Sequence, residues 1–261
     1  MNFIASTWIG VWLEGLGRVA LLSRDAIASS LTFKFSRKDL LYQIYFIGIK
    51  SQSVVLVTGA FTGMVLAAQT YFQFHKIKMD TATLAVVSVS MCSELGPVLT
   101  ALMVSGRVGA AIAAEIGSMK VTEQIDALRT LATHPVDYLV VPRLMASTIA
   151  LPLLTIESMS FGIGAAYLVS VGLLGIDPTY LWYNTLKYSH DSDVMIGLIK
   201  SFVYGGIIAL ISCYKGLSCG AGAEGVGRAT TEAVVYSSIT ILITNFFLTL
   251  FLEQLCVVLG I

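Results

Sequence analysis

Residues 51–74 form a stretch without one charged side chain, and this limits the folds that the chain can adopt. A helix of roughly 20 apolar residues crosses the hydrocarbon core of a bilayer, and it pairs its backbone polar groups internally. The stretch therefore predicts a transmembrane helix, span one. The composition agrees, because 56% of the residues are hydrophobic and 12% are charged, against about 25% charged in soluble domains.

Four further apolar runs follow, and each holds at most one charged residue. They are residues 81–104 (span two), 144–174 (span three), 194–214 (span four) and 233–252 (span five). The charged residues are Glu94, Glu157 and Lys200. The sequence predicts an all-α integral membrane protein with five transmembrane helices, in a single domain that covers residues 1–261.

Two segments are predicted to lie at the membrane interface. In residues 1–50, an amphipathic helix with Trp8 and Trp12 and a second helix that starts near Asp39 flank span one like an elbow, since Trp prefers this depth. Residues 175–193, between spans three and four, form an outside segment. It holds an aromatic cluster of Tyr180, Trp182, Tyr183 and Tyr188 that also fits an interface.

Residues 106–131 separate spans two and three and are polar enough to lie outside the bilayer. Apolar side chains recur there at steps of three and four residues, which predicts an amphipathic helix. Its small-residue start, from Gly106 and Gly109 onward, permits close helix packing. Helices on anionic lipid are normally strongly basic, whereas this one is nearly balanced in charge. An ordinary helix on the lipid surface and a docking helix for a partner are the alternatives.

The positions of Lys and Arg predict the orientation, because these residues accumulate in cytoplasmic loops. Twelve lie on one side: Arg18, Arg24, Lys34, Arg37, Lys38, Lys50, Arg107, Lys120, Arg129, Arg143, Lys215 and Arg228. Four lie on the other: Lys76, Lys78, Lys187 and Lys200. The N-terminus, residues 106–131 and the loop 215–232 are therefore predicted to be cytoplasmic, and the C-terminus to lie outside.

Two charged residues inside the spans suggest an ion pair. Glu94 lies near the middle of span two, where an ionised carboxylate is costly unless it faces protein or water. Pro97 follows it and predicts a kink or a local opening at the carbonyl of Ser93. Lys200 either pairs with Glu94, since buried charges need partners, or extends to the outer interface. Glu157 has no evident basic partner.

Span one carries two patterns. Gly59 and Gly63 lie one helical turn apart and suit close helix packing. Beyond them, one stripe at three- to four-residue spacing holds Leu66, Thr70, Phe74 (or its neighbour Gln73) and Ile77. Such a stripe packs in the protein core, contacts lipid or lines an apolar cavity.

Motifs for nucleotide hydrolysis or metal chemistry are missing from the sequence. It has no GxxxxGK[ST], so any ATPase activity must come from a partner. Residues 220–225 spell GxGxxG, but they follow a membrane span, which favours a flexible turn over a dinucleotide site. The cysteines form no CxxC pair, and the histidines are scattered. We predict no catalytic residue, no metal site and no bound cofactor.

The segments SELGPVLTAL, AEIGSMKVTEQIDAL and GVGRATTEAVVYSS resemble the MlaE/YrbE family, the permease subunits of ABC-type lipid transporters associated with MCE-domain proteins. The resemblance extends from about residue 39 to residue 252. Many family members carry a basic residue just before the carboxylate of span two, where this chain has Ser93.

The resemblance implies a homodimer in the bacterial inner membrane that moves phospholipid or a related lipid. Its implied partners are a cytoplasmic ATPase that uses ATP, an MCE-domain protein on the outer side and often a STAS-domain protein. The coupling helix that docks on the ATPase would present Glu115, Lys120, Glu123, Gln124, Asp126 and Arg129. The lipid cavity would be lined by Leu66, Thr70, Phe74, Ile77, Glu94, Leu95 and Lys200.

Two other functional classes remain as alternatives. An ion-coupled secondary transporter would use Glu94, Glu157 and Lys200 as relay groups, although five spans do not divide into the inverted repeat typical of such carriers. An intramembrane lipid-modifying enzyme would need a nucleophile and a base, and no convincing pair occurs in the sequence.

Overall fold

The structure of the protein, a computed structural model, describes residues 8–31, 37–131 and 134–259. These residues are almost entirely helical and contain no β-strand, and five of their helical segments are long and apolar enough to cross a membrane. The prediction of an all-α membrane protein with five spans is confirmed. Parts of the predicted N-terminal interfacial region, residues 1–7 and 32–36 with Lys34, lie outside the described residues.

Within the described part of the chain, the α-helices are α1 (Trp8–Leu31), α2 (Arg37–Ile44), α3 (Lys50–Phe74), α4 (Thr83–Ser90), α5 (Gly96–Val104), α6 (Ala110–Val121), α7 (Gln124–Thr130), α8 (Val141–Gly172), α9 (Pro178–Tyr188), α10 (Asp191–Leu217) and α11 (Gly222–Leu259). The five candidate membrane spans are Lys38–Ile77, Asp80–Val121, Val136–Gly172, Asp191–Leu217 and Gly222–Cys256. The helical segments are longer than the uncharged runs because a helix continues into polar residues once it leaves the hydrocarbon core.

Several spans are continuous helices with local wide turns rather than uniform α-helices. Turns of π-helix occupy Tyr45–Ile49, Met91–Leu95, Ser105–Gly109 and Val136–Val140. Such turns insert an extra residue into an α-helix, and they occur frequently at functional sites. The turn at Met91–Leu95 contains Glu94 and is therefore relevant to the candidate site.

The central polar segment contains a break that the periodicity did not predict. α6 ends at Val121, and α7 begins at Gln124. The hydroxyl of Thr122 donates to the carbonyl of Ser118 at 2.9 Å, and Glu123 takes a left-handed conformation with φ of 59°. A left-handed residue is a common way to end a helix, although it is usually glycine. The segment is therefore two helices joined at Glu123.

The described residues form two compact units. The first contains the described parts of residues 1–44, 105–147 and 206–237. In this unit α6 packs closely on the end of α10, since a Cβ on Gly216 would lie 2.8 Å from the Cβ of Ile116. A Cβ on Gly117 would lie 3.4 Å from the sulfur of Cys219. Glycine at both places lets α10 and the turn that follows it lie close to α6.

The second unit contains residues 45–104 and 148–205 and the described part of 238–261. A Cβ on Gly63 would overlap the carbonyl of Gly162, and one on Gly59 would lie 2.7 Å from the hydroxyl oxygen of Ser158. α3 and α8 therefore touch through their backbones. Beside this contact lies a core cluster of Ala67, Leu84, Val87, Met91, Ala166, Ile176 and Leu181.

Candidate functional site

The candidate site begins with the wide turn at Met91–Leu95. Proline has no N–H to donate, and its ring crowds the carbonyl four residues earlier. In this chain Pro97 follows the turn, and the carbonyl that it crowds belongs to Ser93. That carbonyl accepts a hydrogen bond from the ammonium group of Lys200 at 2.9 Å. The predicted local opening of span two therefore supplies an acceptor to a side chain of another helix.

Lys200 is fully buried, with 0% of its side chain exposed. Besides the Ser93 carbonyl, its ammonium group donates to the carboxylate of Glu94 and, at 2.9 Å, to the hydroxyl oxygen of Thr249. An ammonium group has three N–H donors, so each has an acceptor. The side chain forms the predicted ion pair with Glu94 instead of extending to the interface.

Glu94 is the more accessible member of the pair, with 33% of its side chain exposed. One carboxylate oxygen accepts from Lys200 and from the hydroxyl of Thr249 at 2.7 Å. The other oxygen accepts from the amide nitrogen of Asn245 at 3.0 Å. Hydrogen bonds to charged groups contribute roughly 1.5–3 kcal/mol each, so this set holds a carboxylate at a depth where an unpaired one is unfavourable.

Tyr204 completes the network from behind. Its buried hydroxyl donates to the amide oxygen of Asn245 at 2.7 Å, which leaves the amide nitrogen to face Glu94. α10 supplies Lys200 and Tyr204 one turn apart, and α11 supplies Asn245 and Thr249 with the same spacing. Three helical segments thus converge on one carboxylate, and we call these five side chains the Glu94 network.

Three members of the Glu94 network were not predicted from the sequence: Tyr204, Asn245 and Thr249. A partial signal was present, because each lies four residues from another member on the same helix face. Asn245 and Thr249 form such a pair in the uncharged span five, although Thr240 and Thr244 have the same spacing.

The predicted cavity residues of span one do not all meet at one place. Leu66 and Leu95 are both half-buried and pack on the core cluster of the second unit. Thr70 and Phe74 are half-buried on the same helix, α3. Ile77 lies in the turn after α3 and is 61% exposed. Leu95 is the apolar residue that directly follows the Glu94 carboxylate in sequence.

In the first unit, Glu115 contacts the chain itself as well as solvent. Its carboxylate lies 2.9 Å from a guanidinium nitrogen of Arg143, which is 4% exposed, while the Glu115 side chain is 49% exposed. Arg143 also donates to the carbonyl of Leu139 at 3.0 Å. The ion pair links α6 to the first turn of α8.

Lys120 is held in a similar way. Its ammonium group donates to the carbonyl of Cys219 at 2.9 Å, in the turn between α10 and α11. The remaining predicted docking residues lie on the exposed side of the break and of α7, around the buried side chain of Ile125. They are Glu123, Gln124, Asp126 and Arg129. Of these, Asp126 and Arg129 form an exposed ion pair of 2.9 Å.

The glycine-rich segment 220–225 forms a tight turn into a helix. Gly222 has φ of +75°, and a Cβ on Gly225 would overlap the carbonyl of Gly220. The turn borders a cavity of about 420 Å³ lined by Lys215, Ser218, Cys219, Gly220, Ala221, Glu224, Gly225, Arg228, Ala229 and Glu232. The segment joins two helices and does not follow a strand, so it lacks the context of a dinucleotide-binding motif.

Comparison with known proteins gives the family. The model of the family Permease MlaE matches residues 40–251. The chain belongs to the MlaE permease family. The resemblance of its sequence motifs to this family is thereby confirmed.

Relatives across bacteria and a plant agree with this assignment. The chain is 46% identical over 236 residues to a probable ABC transporter permease protein of Rickettsia felis, covering 90% of this chain and 91% of the relative. It is 41% identical over 246 residues to one of Synechocystis, covering 94% of each. It is 36% identical over 244 residues to the chloroplastic protein TRIGALACTOSYLDIACYLGLYCEROL 1 of Arabidopsis thaliana, covering 94% of this chain and 69% of the relative.

Membership in the MlaE permease family fits the five candidate spans, and the chain is a multi-pass membrane transport subunit of an ABC transporter. A permease of this type works with an ATPase, which agrees with the lack of a phosphate-binding loop in the sequence. The Glu94 network lies inside its spans, and the exposed residues of α7 lie outside the uncharged runs.

Proposed function

We propose that this MlaE-family permease moves a phospholipid or a related lipid and that the Glu94 network contacts the polar part of the lipid. One observation carries the proposal: a carboxylate within a membrane span is fully hydrogen-bonded on its protein side and still has 33% of its side chain exposed. An amphipathic ligand needs a few polar groups beside an apolar wall, and Leu95 and Leu66 supply apolar surface in the same unit.

One of the relatives supports a lipid as cargo. The relative from Arabidopsis thaliana has a name that is itself that of a galactolipid. We propose a lipid cargo for this chain on the basis of that name and of the apolar and polar residues around Glu94. Phe74 and Thr70 of α3 are the further candidates for contact with acyl chains, because both are half-buried on the helix that carries Leu66.

The proposed partners are those that the family resemblance implies, and the predicted orientation assigns each to one side of the membrane. The transporter would be a homodimer of this chain in a bacterial inner membrane, with the N-terminus in the cytoplasm and the C-terminus on the periplasmic side. An ATPase would bind the exposed residues of α7, an MCE-domain protein would receive or deliver lipid on the outer side, and a STAS-domain protein would join the ATPase. This chain would bind no cofactor, and the ATPase would use ATP.

The coupling would start at α7. ATP-driven closure of the ATPase would push the segment from Glu115 to Leu131. Two contacts would pass this movement on, because Glu115 is paired with Arg143 at the start of α8 and Lys120 is bonded to the turn before α11. α8 and α11 are continuous helices, so a displacement at one end is transmitted along them.

The proposed function is tested with the purified complex of this chain, its ATPase and an MCE-domain protein in vesicles that hold a fluorescent phospholipid. We expect ATP-dependent transfer of the lipid to or from the MCE-domain protein, and K200M/E94Q, which removes the carboxylate without leaving the Lys200 ammonium unpaired, should reduce transfer while the complex stays assembled. Transfer by this chain in vesicles without the ATPase would instead support the ion-coupled carrier, and product formation by the pure chain would support an enzyme.

A further inference from the structure

Helix α9 connects span three to span four. It follows the end of α8 at Gly172 after a short turn, and α10 begins three residues after it ends. Its first turn is fixed by Asp177, whose carboxylate accepts from the N–H of Thr179 at 2.8 Å, and by Pro178 at the first helical position. Short connections at both ends keep α9 beside the ends of these two spans.

One face of α9 packs on span two. Leu181 is fully buried in the core cluster together with Leu84 and Val87, which lie on α4 near the start of the candidate span Asp80–Val121. Asn184 donates to the carbonyl of Thr81 at 3.3 Å, just before the same helix. α9 therefore lies alongside the first turns of a membrane span.

A ring contact packs α9 against α8 as well. The ring of Trp182 meets the ring of Tyr167 edge to face, with centroids 6.4 Å apart and an interplanar angle of 82°. Tyr167 precedes the end of α8 by five residues, which places it about 7.5 Å along the helix axis from that end. The indole of Trp182 thus lies beside the last turns of α8, within the candidate span Val136–Gly172.

The opposite face of α9 is largely exposed and rich in aromatic residues, and Thr179 and Lys187 lie on the same side. Trp182, Tyr183 and Leu186 share one arc of the helix, and Tyr180 borders it. These four side chains are between 53% and 65% exposed. We call them the α9 outer face. Tyr and Trp have an apolar ring and a polar tip, and they concentrate where hydrocarbon meets water.

The charges around α9 argue against an electrostatic attachment. The helix carries one basic residue, Lys187, whereas Asp177, Asp191 and Asp193 flank it. Helices that bind anionic lipid electrostatically carry many Lys or Arg residues. Attachment through the α9 outer face would therefore depend on buried aromatic area and would be insensitive to salt.

We propose that α9 is an interfacial helix whose outer face is buried in the head-group layer of the bilayer, at the surface where α8 ends and α10 begins. The occupant of this face is a lipid surface and not a partner protein. Through Leu181 and Trp182, α9 then fixes the depth of the ends of spans two and three. The depth of Trp182 does not depend on the cargo of the transporter, so the test is separate from that of the proposed function.

The test measures the depth of Trp182 in vesicles. The sequence has two other tryptophans, and W8F/W12F leaves Trp182 as the sole one in the full chain. The protein is reconstituted without partners into phosphatidylcholine brominated either near the carbonyl end or near the middle of the acyl chain. We expect shallow bromine to remove roughly half of the emission or more and deep bromine to remove less, because Trp favours the interface. Iodide in the water should have little effect.

The result that overturns the proposal is equally clear. Emission that is the same in brominated and unbrominated lipid, and that iodide quenches strongly, would place the α9 outer face in water, as expected for a face kept for a partner protein. W8F/W12F/W182F gives the background from tyrosine. If the double substitution impairs folding, the wild-type chain and W182F are compared in the same lipids, and the difference between them reports Trp182 alone.

Discussion

The ammonium group of Lys200 donates to the carbonyl of Ser93 at 2.9 Å, the carbonyl to which Pro97 offers no N–H. The Ser93 carbonyl, which lacks a backbone donor, thus accepts a hydrogen bond from the buried ammonium group of another helix. The same ammonium group pairs with Glu94, so the wide turn, the proline and the ion pair form one structural unit. Each substitution in the Glu94 network is therefore expected to remove identifiable hydrogen bonds or charges.

Lys200→Met should be strongly destabilising, because it leaves the Glu94 carboxylate without a counter-charge inside the membrane span. Removing one partner of a buried pair costs about 3–5 kcal/mol of unfolding free energy. Thermal or denaturant unfolding of the purified protein in nanodiscs measures the loss. The double variant K200M/E94Q should recover much of it, and equal losses in the single and double variants would show that the pair is not what Lys200 stabilises.

Thr249→Val removes a hydroxyl that accepts from Lys200 and lies 2.7 Å from an oxygen of Glu94. Valine has nearly the same shape, so the expected loss of about 1–3 kcal/mol reflects unsatisfied polar groups and not a cavity. The unfolding measurement is the same. Thr249→Ser is the matched control, since it keeps the hydroxyl, and it should lose clearly less than Thr249→Val. A valine variant as stable as wild type would remove Thr249 from the network.

The spans and the ion pair could be predicted from the sequence for a physical reason. Span length follows from bilayer thickness, and a buried Glu94 requires a basic partner, of which the spans offer Lys200. Asn245 and Thr249 were not predicted because an amide or a hydroxyl in an uncharged helix needs no charged partner. Which helix face it meets depends on tertiary packing.

Residues 106–131 show a second limit of prediction from the sequence. An amphipathic pattern identifies a face that needs a partner, but it does not say whether the partner is the same chain. Glu115 and Lys120 bind Arg143 and the Cys219 carbonyl, which lie far away in the sequence. The break at Glu123 carries no glycine or proline, the residues that usually announce the end of a helix.

Gly63→Ala should destabilise the second unit by about 1–3 kcal/mol, because its Cβ would overlap the Gly162 carbonyl and separate two helices in backbone contact. Unfolding in nanodiscs measures this change. Gly164→Ala is the control on α8, since nothing lies within 4 Å of a Cβ there. That control should be neutral or gain up to about 1 kcal/mol from helix propensity. Similar effects at both positions would contradict the backbone contact.

Reversing two charges of the exposed segment, E123K/D126K, should weaken binding of the ATPase. Both side chains are exposed, and the one ion pair broken, between Asp126 and Arg129, is a surface pair worth roughly 0–1 kcal/mol, so folding should be unaffected. Co-purification of the ATPase and its ATP hydrolysis in the complex are the measurements. Glu253→Lys reverses another exposed acid, on α11, and should change neither. Unchanged co-purification and hydrolysis in E123K/D126K would contradict a docking role for α7.

Glu115→Gln should uncouple ATP hydrolysis from lipid transfer, because the Glu115–Arg143 ion pair ties α6 to the first turn of α8. Without the carboxylate, buried Arg143 keeps its bond to the Leu139 carbonyl but loses its counter-charge. We expect transfer per ATP hydrolysed to fall, with ATPase binding unchanged. Glu224→Gln, which neutralises an exposed acid of the same unit, should leave this ratio at the wild-type value. If transfer and hydrolysis fall in proportion in Glu115→Gln, the ion pair stabilises the fold and does not transmit movement.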